Sequence, residues 1–274
     1  MDRFLRIILI SGMFMWFFGC SNKSTVKQEE KEKKWELIWN DEFDYEGLPD
    51  ENKWDYDAGG VGWGNAEQQF YTAYDTETAR VSNGVLIIEA HKKWHLGMPY
   101  KSARVVTRGR GDFLYGKIEV CAKLPKGRGI WPAIWMMPTE QKYGGWPSSG
   151  EIDIMEMVGF EQDIIHMSVH TESFNHKIGT HKTSYAYLKG ASDEFHIYSI
   201  EWYPDKIYFL LDGKEYFRFT KMGDNYKVWP FDQKFYIILN IAVGGTWGAA
   251  KGIDNSIFPQ RMEVDYVRVY KPIK

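Results

Sequence analysis

The stretch that decides the fold class runs from residue 195 to residue 219 and reads FHIYSIEWYPDKIYFLLDGKEYFRF. Aromatic and β-branched residues dominate it, which is typical of β-strands. We predict strands over Phe195–Tyr203, Ile207–Leu211 and Lys214–Phe219. The pair Asp212-Gly213 between the last two is a strong signal for a two-residue hairpin turn.

The same pattern extends along the chain from about Trp35 onward. Short apolar runs are separated by Gly, Asp and Pro, and no helical periodicity is sustained over a useful length. Ten or more strands without intervening helices predict an all-β fold, a β-sandwich or jelly roll. The remaining predicted strands are Val85–His91, Ala103–Thr107, Gly116–Lys123, Glu151–Met157, Ile164–Thr171, Phe235–Val243 and Met262–Tyr270.

The composition excludes several classes of protein. The chain has 274 residues, and its 34 Lys+Arg and 37 Asp+Glu give a formal net charge of −3 and a pI of about 6.2. That balance argues against nucleic acid as a partner, because phosphate binding usually shows as a cationic excess. A mean hydropathy of −0.44 excludes a polytopic membrane protein. Aromatic residues make up 16% of the chain, more than a core of this size needs.

The first twenty residues are typical of an export signal. Arg3 and Arg6 precede an apolar run over 7–18, which is too short to span a bilayer. The run is followed by Gly19-Cys20, and a small residue directly before cysteine resembles a bacterial lipoprotein processing site, so Cys20 is the predicted lipidation site. Phe17 is bulkier than usual three places before that cut, which leaves plain secretion or a retained anchor as alternatives.

We therefore predict a signal peptide over 1–19, a lipidated Cys20 with a polar tether over 20–34, and a folded domain over 35–274. The segment SNKSTVKQEEKEKK at 21–34 is charged and free of aromatic residues, as expected of a tether. Cys121 is the other cysteine of the sequence, so a lipidated Cys20 leaves it without a disulfide partner. The expected location is the bacterial cell envelope, at the outer membrane or cell surface, with secretion as the alternative.

One predicted strand concentrates acidic residues, GEIDIMEM at 150–157. Side chains alternate along a strand, so Glu151 and Asp153 share one face while the two isoleucines pack on the other. Strict alternation would bury Glu156. One extra residue in a β-bulge, with Met155 as the natural candidate, returns Glu156 to the carboxylate face. The strand then presents three acids in a row.

Such a row indicates acid–base chemistry, because crowded carboxylates force some members to hold protons at neutral pH. The row then supplies an acid beside an ionised base or nucleophile, which is what glycoside hydrolysis requires. Two other interpretations stay open at this point. The acids could form the solvated outer face of a surface strand, or they could hold calcium, whose usual ligands are carboxylates.

Tryptophans just upstream favour the first interpretation. Trp131 and Trp135 lie in GIWPAIWMMP and Trp146 in GGWPSSG. Sugar rings stack on aromatic rings through their C–H faces, while their hydroxyls need carboxylates and amides. Trp135, flanked by Ile134 and Met136, is the best candidate for a core position, and the other two, each followed by proline, are better candidates for stacking. Acids among tryptophans favour a carbohydrate ligand.

The segment GWPSSGEIDIMEMVG at 145–159 resembles the signature of glycoside hydrolase family 16, in the laminarinase-like branch where a Met interrupts the E-x-D-x-E spacing. The resemblance extends over about residues 35–272. The other blocks that carry it are WNDEFDYEG at 39–47, GWGNAEQQFYT at 62–72, SARVVTRGR at 102–110, YGKIEVCAKLPKGRGIWPAIWMMP at 115–138, FYIILNIAVGGTWG at 235–248 and FPQRMEVDYVRVY at 258–270.

This resemblance implies a concanavalin A-like β-jelly roll of two stacked sheets, with a substrate cleft on the concave face. It also implies a retaining endo-β-glucanase that cuts β-1,3-glucan, mixed-linkage β-1,3-1,4-glucan, or both. By motif position, Glu151 would be the nucleophile and Glu156 the general acid/base, with Asp153 between them setting their protonation. No cofactor is expected for catalysis, and a monomer is expected.

Two other functions stay open. A non-catalytic glycan-binding lipoprotein is the alternative from a different class, because jelly rolls also serve as binding modules. The complete acid row argues against it, since a binding module does not need three crowded carboxylates. A transglycosylase would share all three acids and cannot be separated by sequence pattern.

Further positions match the cleft of the family. A hydrogen-bonded loop is the structural alternative for the polar ones among them. The segment over 181–189 could line one end of the cleft. The substrate-binding residues that the resemblance implies are Asn65, Glu67, Gln68, Arg104, Trp131, Trp135, Trp146, His170, Asn240 and Trp247.

The sequence contains candidate ligands for two metals, zinc and calcium. His166 and His170 are four residues apart, a zinc-ligand spacing on helices, but their segment is predicted as a strand and no H-E-x-x-H is present. Zinc is therefore not expected. The resemblance implies a structural calcium away from the cleft, held by Glu42, the backbone carbonyl of Gly84 and Asp265. The same acids could instead be plain surface charges.

Overall fold

The computed structural model describes residues 35–273, which form seventeen strands in two main sheets. The first nine are β1 (Trp35–Asp41), β2 (Asp55–Tyr56), β3 (Gln69–Thr72), β4 (Ala79–Ser82), β5 (Val85–Ala90), β6 (Tyr100–Val106), β7 (Asp112–Phe113), β8 (Gly116–Lys123) and β9 (Ile130–Pro138). The others are β10 (Glu151–Glu156), β11 (Ile164–His170), β12 (Lys182–Tyr187), β13 (His196–Tyr203), β14 (Lys206–Leu211), β15 (Lys214–Thr220), β16 (Phe235–Val243) and β17 (Gln260–Pro272).

Eight strands form the sheet that we call the back sheet, in the order β15-β14-β13-β8-β17-β5-β4, with β1 paired to β17. Strand β17 is thirteen residues long and pairs with β8, β5 and β1. Because β1 is antiparallel to β17, the first and last described strands are held side by side.

Nine strands form the second sheet, which we call the cleft sheet, in the order β12-β11-β10-β9-β16-β6-β2. Strand β3 pairs with β6 and β7 with β16. Strands β9 and β16 are paired over nine residues each and form the centre of the sheet. The acidic strand β10 lies next to this centre, between β9 and β11.

One continuous hydrophobic core includes residues from both sheets. Strand β16 shows how the cleft sheet contributes to it, because all nine of its residues are buried. Phe235, Ile237 and Leu239 belong to the main core. Tyr236 and Ile238 alternate with them and form a small second cluster on the opposite face. The same face carries the cleft, so the floor of the site rests directly on the core.

The predicted all-β jelly-roll fold is confirmed. Each of the ten predicted strands is present, and Gly116–Lys123 and Phe235–Val243 have the predicted ends. The hairpin between β14 and β15 turns at Asp212 and Gly213, whose φ angles of 49° and 76° are both positive. Positive φ at both central positions is the signature of the type I′ turn, whose twist matches that of the flanking strands.

Seven strands are missing from the sequence prediction, and β9 is the most important of them. It contains Pro132, and proline is normally excluded from central strands because it cannot donate to the ladder. The pairing of β9 with β10 ends at Ala133, so Pro132 lies just beyond it. Its carbonyl still accepts a hydrogen bond from the Met157 N–H at 3.3 Å. The proline is tolerated because its missing donor falls at the end of the β10 ladder.

The predicted signal peptide, the lipidation site Cys20 and the tether over 20–34 lie outside the described residues. Within residues 35–273, Cys121 is buried and makes no disulfide. No helix in that range is long and apolar enough to cross a bilayer.

Candidate active site

A bulge in β10 brings the three predicted acids onto one face. Asp153 lies opposite Trp135 of β9, and Glu156 lies opposite Ala133. Three steps along β10 therefore match two steps along β9, and the same irregularity appears against β11. The predicted bulge is present, but against β9 the extra residue is Ile154 rather than Met155, because Met155 lies opposite Ile134. The extra residue turns Glu156 back to the cleft.

Asp153 and Glu156 carry raised pKa values, and burial is the main cause. Asp153 is 2% exposed, and its removal from water, reinforced by neighbouring Glu151, raises the pKa of that carboxyl well above its usual range. Burial also raises the pKa of Glu156, and the negative charges of Asp153 and Glu151 add to the effect. Charged carboxylates so close together repel one another, so protonation relieves the row. Burial and crowding therefore favour the protonated forms of Asp153 and Glu156.

Each glutamate of the row is hydrogen-bonded to a tryptophan. The Trp131 indole N–H donates to Glu156 Oε1 at 3.0 Å. The Trp146 indole N–H donates to a carboxylate oxygen of Glu151. Both carboxylates are therefore held in fixed orientations by donors that cannot themselves accept a proton.

The middle acid contacts the predicted histidine. Asp153 Oδ2 lies 3.3 Å from Nε2 of His170, and both side chains are buried. Strand pairing explains the contact only in part, since His170 lies opposite Glu151 and reaches Asp153 along the diagonal. Within residues 35–273, these three side chains form the one group of three or more potential metal ligands, with ligand atoms within 4.8 Å of one another.

On one flank of the acids, here called the β6 side, a polar network is centred on buried Glu67. Its carboxylate accepts hydrogen bonds from Asn65 at 3.1 Å, Gln69 at 2.7 Å and Tyr71 at 3.3 Å. Burial raises the pKa of Glu67, and these donors oppose that change. Asn65 and Glu67 line the cleft together with Glu151 and Glu156.

Arg104 forms the floor of the β6 side. Its guanidinium lies 4.8 Å from the centre of the Trp63 ring and 4.6 Å from that of Trp135, between two aromatic faces. Asp57 approaches it at 3.3 Å. The Trp135 indole N–H donates to Asn240 Oδ1 at 2.6 Å. A cation over an aromatic ring face is attracted by the ring quadrupole. Arg104 therefore helps to hold Trp63 and Trp135 in place at the cleft wall.

The other flank, here called the β11 side, is a cavity of about 490 Å³ that also contains Glu151 and Glu156. That volume falls in the range of ordinary ligand pockets. Histidines dominate its lining, and His170 stacks on His181 with ring centres 5.6 Å apart. Trp247 lies across His166, with centres 4.9 Å apart and planes at 82°. The cleft thus continues past the acids in both directions, as an endo-acting enzyme needs.

Most predicted cleft residues lie where the sequence placed them, but one prediction about them is wrong. Trp135, the preferred candidate for a core position, is half-buried and lines the cleft. Gln68 is the predicted residue that does not appear in the cleft lining. It packs against the Gly244 turn, and its N–H donates to the Val243 carbonyl.

Several cleft residues are absent from the sequence prediction. Trp63 and Tyr71 lie within the family-like block at 62–72 and could have been found there. His176 has no such signal, because it reaches the cleft only where the 171–181 segment returns against Trp146, with ring centres 5.1 Å apart. His181, Thr183 and Tyr185 line the β11 side, in agreement with the prediction for segment 181–189.

The predicted calcium ligands lie on or next to neighbouring strands of the back sheet. Glu42 follows β1 directly, Gly84 lies in the turn before β5, and Asp265 lies in β17. Strand β17 pairs with both β1 and β5. Hard oxygen donors in such an arrangement suit calcium. Both Glu42 carboxylate oxygens accept hydrogen bonds from Arg268, at 2.9 and 2.7 Å, which lowers the pKa of Glu42. The donor types are those that calcium takes, and binding of the ion would require Glu42 to give up part of its contact with Arg268.

Comparison with known proteins agrees with this geometry. Residues 66–268 match the family model described as glycosyl hydrolases family 16. A β-glucanase from Rhodothermus marinus is 51% identical over 260 residues, covering 92% of this chain and 91% of the relative. A glucan endo-1,3-β-glucosidase from Cryptopygus antarcticus is 36% identical over 252 residues, covering 85% of this chain and 91% of the relative. The structure of the Rhodothermus marinus laminarinase matches with a TM-score of 0.87 and 50% identity, covering 89% of this chain and all of that one, 100%.

Proposed function

Because this chain belongs to glycosyl hydrolase family 16, we propose that it is an endo-β-glucanase that hydrolyses internal linkages of β-1,3-glucan, mixed-linkage β-1,3-1,4-glucan, or both, with retention. The observation that carries the proposal is the bulged strand β10, which aims Glu151 and Glu156 into one cleft open on both sides. A retaining enzyme needs two carboxyl groups about 5–5.5 Å apart, and Glu151 and Glu156 are the pair of glutamates that line the same cleft.

In the first step Glu151 is the nucleophile. Its carboxylate attacks the anomeric carbon of the sugar on the β6 side while the glycosidic C–O bond breaks. Glu156 gives its proton to the leaving oxygen, and the glucan on the β11 side departs. Burial and the neighbouring acids raise the pKa of Glu156, which favours the protonated form that this step needs.

In the second step water enters where the leaving chain was. Glu156, now ionised, takes a proton from the water, whose oxygen bonds to the anomeric carbon as the ester bond to Glu151 breaks. Asp153 lies between the two and shares a hydrogen bond with Glu151. We assign it the role of adjusting the charge of the row between the steps, because its short side chain is almost fully buried.

The substrate class follows from the walls of the cleft. Trp63, Trp135 and Trp146 line the β6 side together with Arg104 and Asn65, a mixture of ring faces and hydrogen-bonding groups that suits glucosyl units. The relatives are described as acting on β-glucans, in keeping with that wall. A non-catalytic glycan-binding role is not favoured, because binding alone does not require acids with raised pKa values such as Asp153 and Glu156.

Product analysis tests the proposal. Wild type and Glu151→Gln are incubated with laminarin, barley mixed-linkage glucan, xyloglucan, agarose and carrageenan. We expect oligosaccharides from one or both of the first two polymers, and none with the variant, which should still bind. Binding without products from any polymer would overturn the enzyme proposal in favour of glycan capture.

We further propose that the protein is attached to the bacterial cell envelope through a lipid on Cys20. The sequence pattern around Gly19-Cys20 supports this location. Cys20→Ser should move the protein from the membrane fraction to the soluble fraction. Cys121→Ser, which changes a buried and unpaired thiol, is the control that should leave the distribution unchanged. A membrane fraction unaffected by Cys20→Ser would favour a retained apolar anchor.

We also propose a structural calcium ion bound by Glu42, the Gly84 carbonyl and Asp265. The placement of the three positions on or next to neighbouring strands of the back sheet supports it. The ion would join the β1 end to β17 and contribute to stability, since it binds the folded chain and not the unfolded one. It would take no part in the chemistry at the acid row.

A further inference from the structure

We propose that Trp131 is a positioning residue for the acid/base Glu156, rather than a stacking platform for the sugar. The inference rests on the proposed function, because it assigns a task to a group that acts through Glu156. Its starting point is the hydrogen bond from the Trp131 indole N–H to Glu156 Oε1, 3.0 Å long. The sequence predicts a stacking role for this residue, and the geometry points to a different one.

The bulge of β10 creates the contact. Glu156 lies directly opposite Ala133, and Trp131 is two residues away from Ala133 on the same face of β9. Diagonal neighbours across a strand pair are within reach of aromatic and long side chains. Because Ala133 carries only a methyl group, the indole can lean over it to the carboxylate. Without the bulge, Glu156 would face the core and could not meet the indole.

The indole is braced from its other side by the turn after β16. A Cβ added at Gly245 would lie 3.4 Å from the Trp131 ring, and one at Gly248 would lie 3.2 Å from the Trp131 Cβ. Trp247 of the same turn meets the ring edge-on, with centres 5.3 Å apart and planes at 77°. The glycines therefore allow the turn to approach closely, and the ring is held between the turn and Glu156.

The chemistry of the donor decides what this contact does. An indole N–H can donate and cannot accept, so it stabilises the ionised carboxylate. Burial, Asp153 and Glu151 act in the opposite direction on the same group. In the second step Glu156 must be a carboxylate in this poorly solvated place, and Trp131 favours that form. Since Oε1 is occupied, Oε2 is the oxygen that gives and takes the proton.

Two other tryptophans of the cleft show that the contact is selective. Trp146 also donates to a carboxylate, that of Glu151. Trp135, on the same strand and face as Trp131, donates to the neutral side chain of Asn240 at 2.6 Å. Trp135→Phe therefore removes an indole N–H donor, as Trp131→Phe does, but the lost hydrogen bond is to Asn240 and not to an acid of the row. It is a matched control for Trp131→Phe.

The first test compares the pH dependence of kcat/KM on laminarin for wild type, Trp131→Phe and Trp135→Phe. Loss of a donor to the ionised form raises the pKa of the acid, so the alkaline limb of Trp131→Phe should move upward by about half to one pH unit. Trp135→Phe should change KM and leave that limb in place. Circular dichroism and Tm verify that both variants fold. An alkaline limb of Trp131→Phe that coincides with wild type would overturn the proposal.

A double-mutant cycle provides the second test. With an activated aryl glycoside, Glu156→Gln still forms the glycosyl-enzyme, so steady-state turnover reports the second step, in which Glu156 is the base. The effect of Trp131→Phe on that step can be measured with and without Glu156. We expect the loss caused by Trp131→Phe to shrink to about twofold or less in the Glu156→Gln background, because the two act as a unit. A stacking or purely structural role predicts equal losses in both backgrounds, and that result would overturn the proposal.

Failure of this inference can be told apart from failure of the proposed function. If wild type cleaves no glucan, the proposed function fails. The contact between Trp131 and Glu156 can then still be tested, by following the carboxyl titration of Glu156 with ¹³C NMR in wild type and Trp131→Phe, with Glu156→Gln to assign the signal. A higher pKa of Glu156 in Trp131→Phe supports the contact, and an unchanged one contradicts it.

Discussion

Asp153 and His170 are in contact in the centre of the cleft, with Oδ2 and Nε2 3.3 Å apart and 2% and 8% of their side chains exposed. The carboxyl is almost fully removed from water and lies beside two further acids. Its raised pKa means that the folded protein binds a proton there more tightly than the unfolded chain does. The acid row therefore stabilises the fold at low pH and costs stability as the pH rises.

This relationship predicts the effect of Asp153→Asn on stability. An amide is neutral at every pH, so the variant avoids the cost of ionising a buried group. We expect its Tm to exceed that of wild type by about 2–4 °C at pH 8, with the difference vanishing at pH 4, near the unfolded-state pKa. Activity should fall, because the row loses its adjustable charge. Thermal melts at both pH values measure the effect.

Glu89→Gln is the control with the opposite sign. Glu89 is 9% exposed, and its hydrogen bond with His91, followed by that with Arg80, lowers its pKa. Its contribution to stability is present above the unfolded-state pKa and is lost on acidification. Glu89→Gln should therefore lower Tm at pH 8 and have less effect at pH 4. If both variants changed Tm by the same amount at each pH, or if Asp153→Asn had a lower Tm than wild type at pH 8, ionisation of Asp153 would not be costing stability.

Glu156→Gln should separate substrates by their leaving groups. A polymer glucan leaves as a poor leaving group and needs the proton of Glu156, so kcat/KM on laminarin should fall by about 10²–10⁴-fold. An activated aryl glycoside needs little proton donation, and its first step should be much less affected. Pre-steady-state release of the aryl group measures that step. Losses of equal size on both substrates would assign Glu156 another role.

The acid row could be predicted from the sequence because it depends on one strand. Period-two alternation over 151–156 and a single extra residue are enough to place the three acids on one face, and pairing with β9 confirms it. Roles that depend on neighbouring strands were harder to predict. Trp135 looks like a core residue between Ile134 and Met136, but those two face the core while it faces the cleft. Pro132 argues against a strand at this place in the sequence, so the alternation of side chains along β9 was not recognised.

The contacts between histidines on the β11 side could not be predicted, although His170 and the segment over 181–189 were placed at the cleft. His170 and His181 stack across a segment of ten intervening residues that contains no regular strand. Their proximity is set by the path of that segment, and sequence spacing carries no information about it. The same holds for Tyr71 and Asn240, which are 169 positions apart in the chain and share a hydrogen bond of 3.0 Å.

That bond is part of a buried chain of donors, and Tyr71→Phe should break it. Asn240 donates to the Tyr71 hydroxyl, which donates to Glu67 Oε2 at 3.3 Å. Removing the hydroxyl leaves buried partners unsatisfied, so the free energy of unfolding should fall by about 1–3 kcal/mol. KM should rise, because Asn240 and Glu67 line the cleft. Urea unfolding and steady-state kinetics measure both effects.

Tyr198→Phe is the matched control for this prediction. Tyr198 is 1% exposed, and its hydroxyl has no hydrogen-bond partner among residues 35–273. Losing it should not destabilise the protein, and a small gain in stability is the physical expectation. If the two substitutions had the same effect on unfolding, the hydrogen-bonded chain through Tyr71 would contribute nothing of its own.

Calcium should raise the thermal stability if Glu42 and Asp265 hold an ion. At a hundredfold excess over Kd a ligand adds about 2.7 kcal/mol, which for a domain of this size is about 5–10 °C in Tm. EDTA should reverse the gain, and Asp265→Asn should abolish it, whereas Asp224→Asn, an exposed acid paired with Lys221 on the surface, should not. Melting curves that are the same with calcium and with EDTA, together with no heat of binding by calorimetry, would leave Arg268 as the cation that neutralises Glu42.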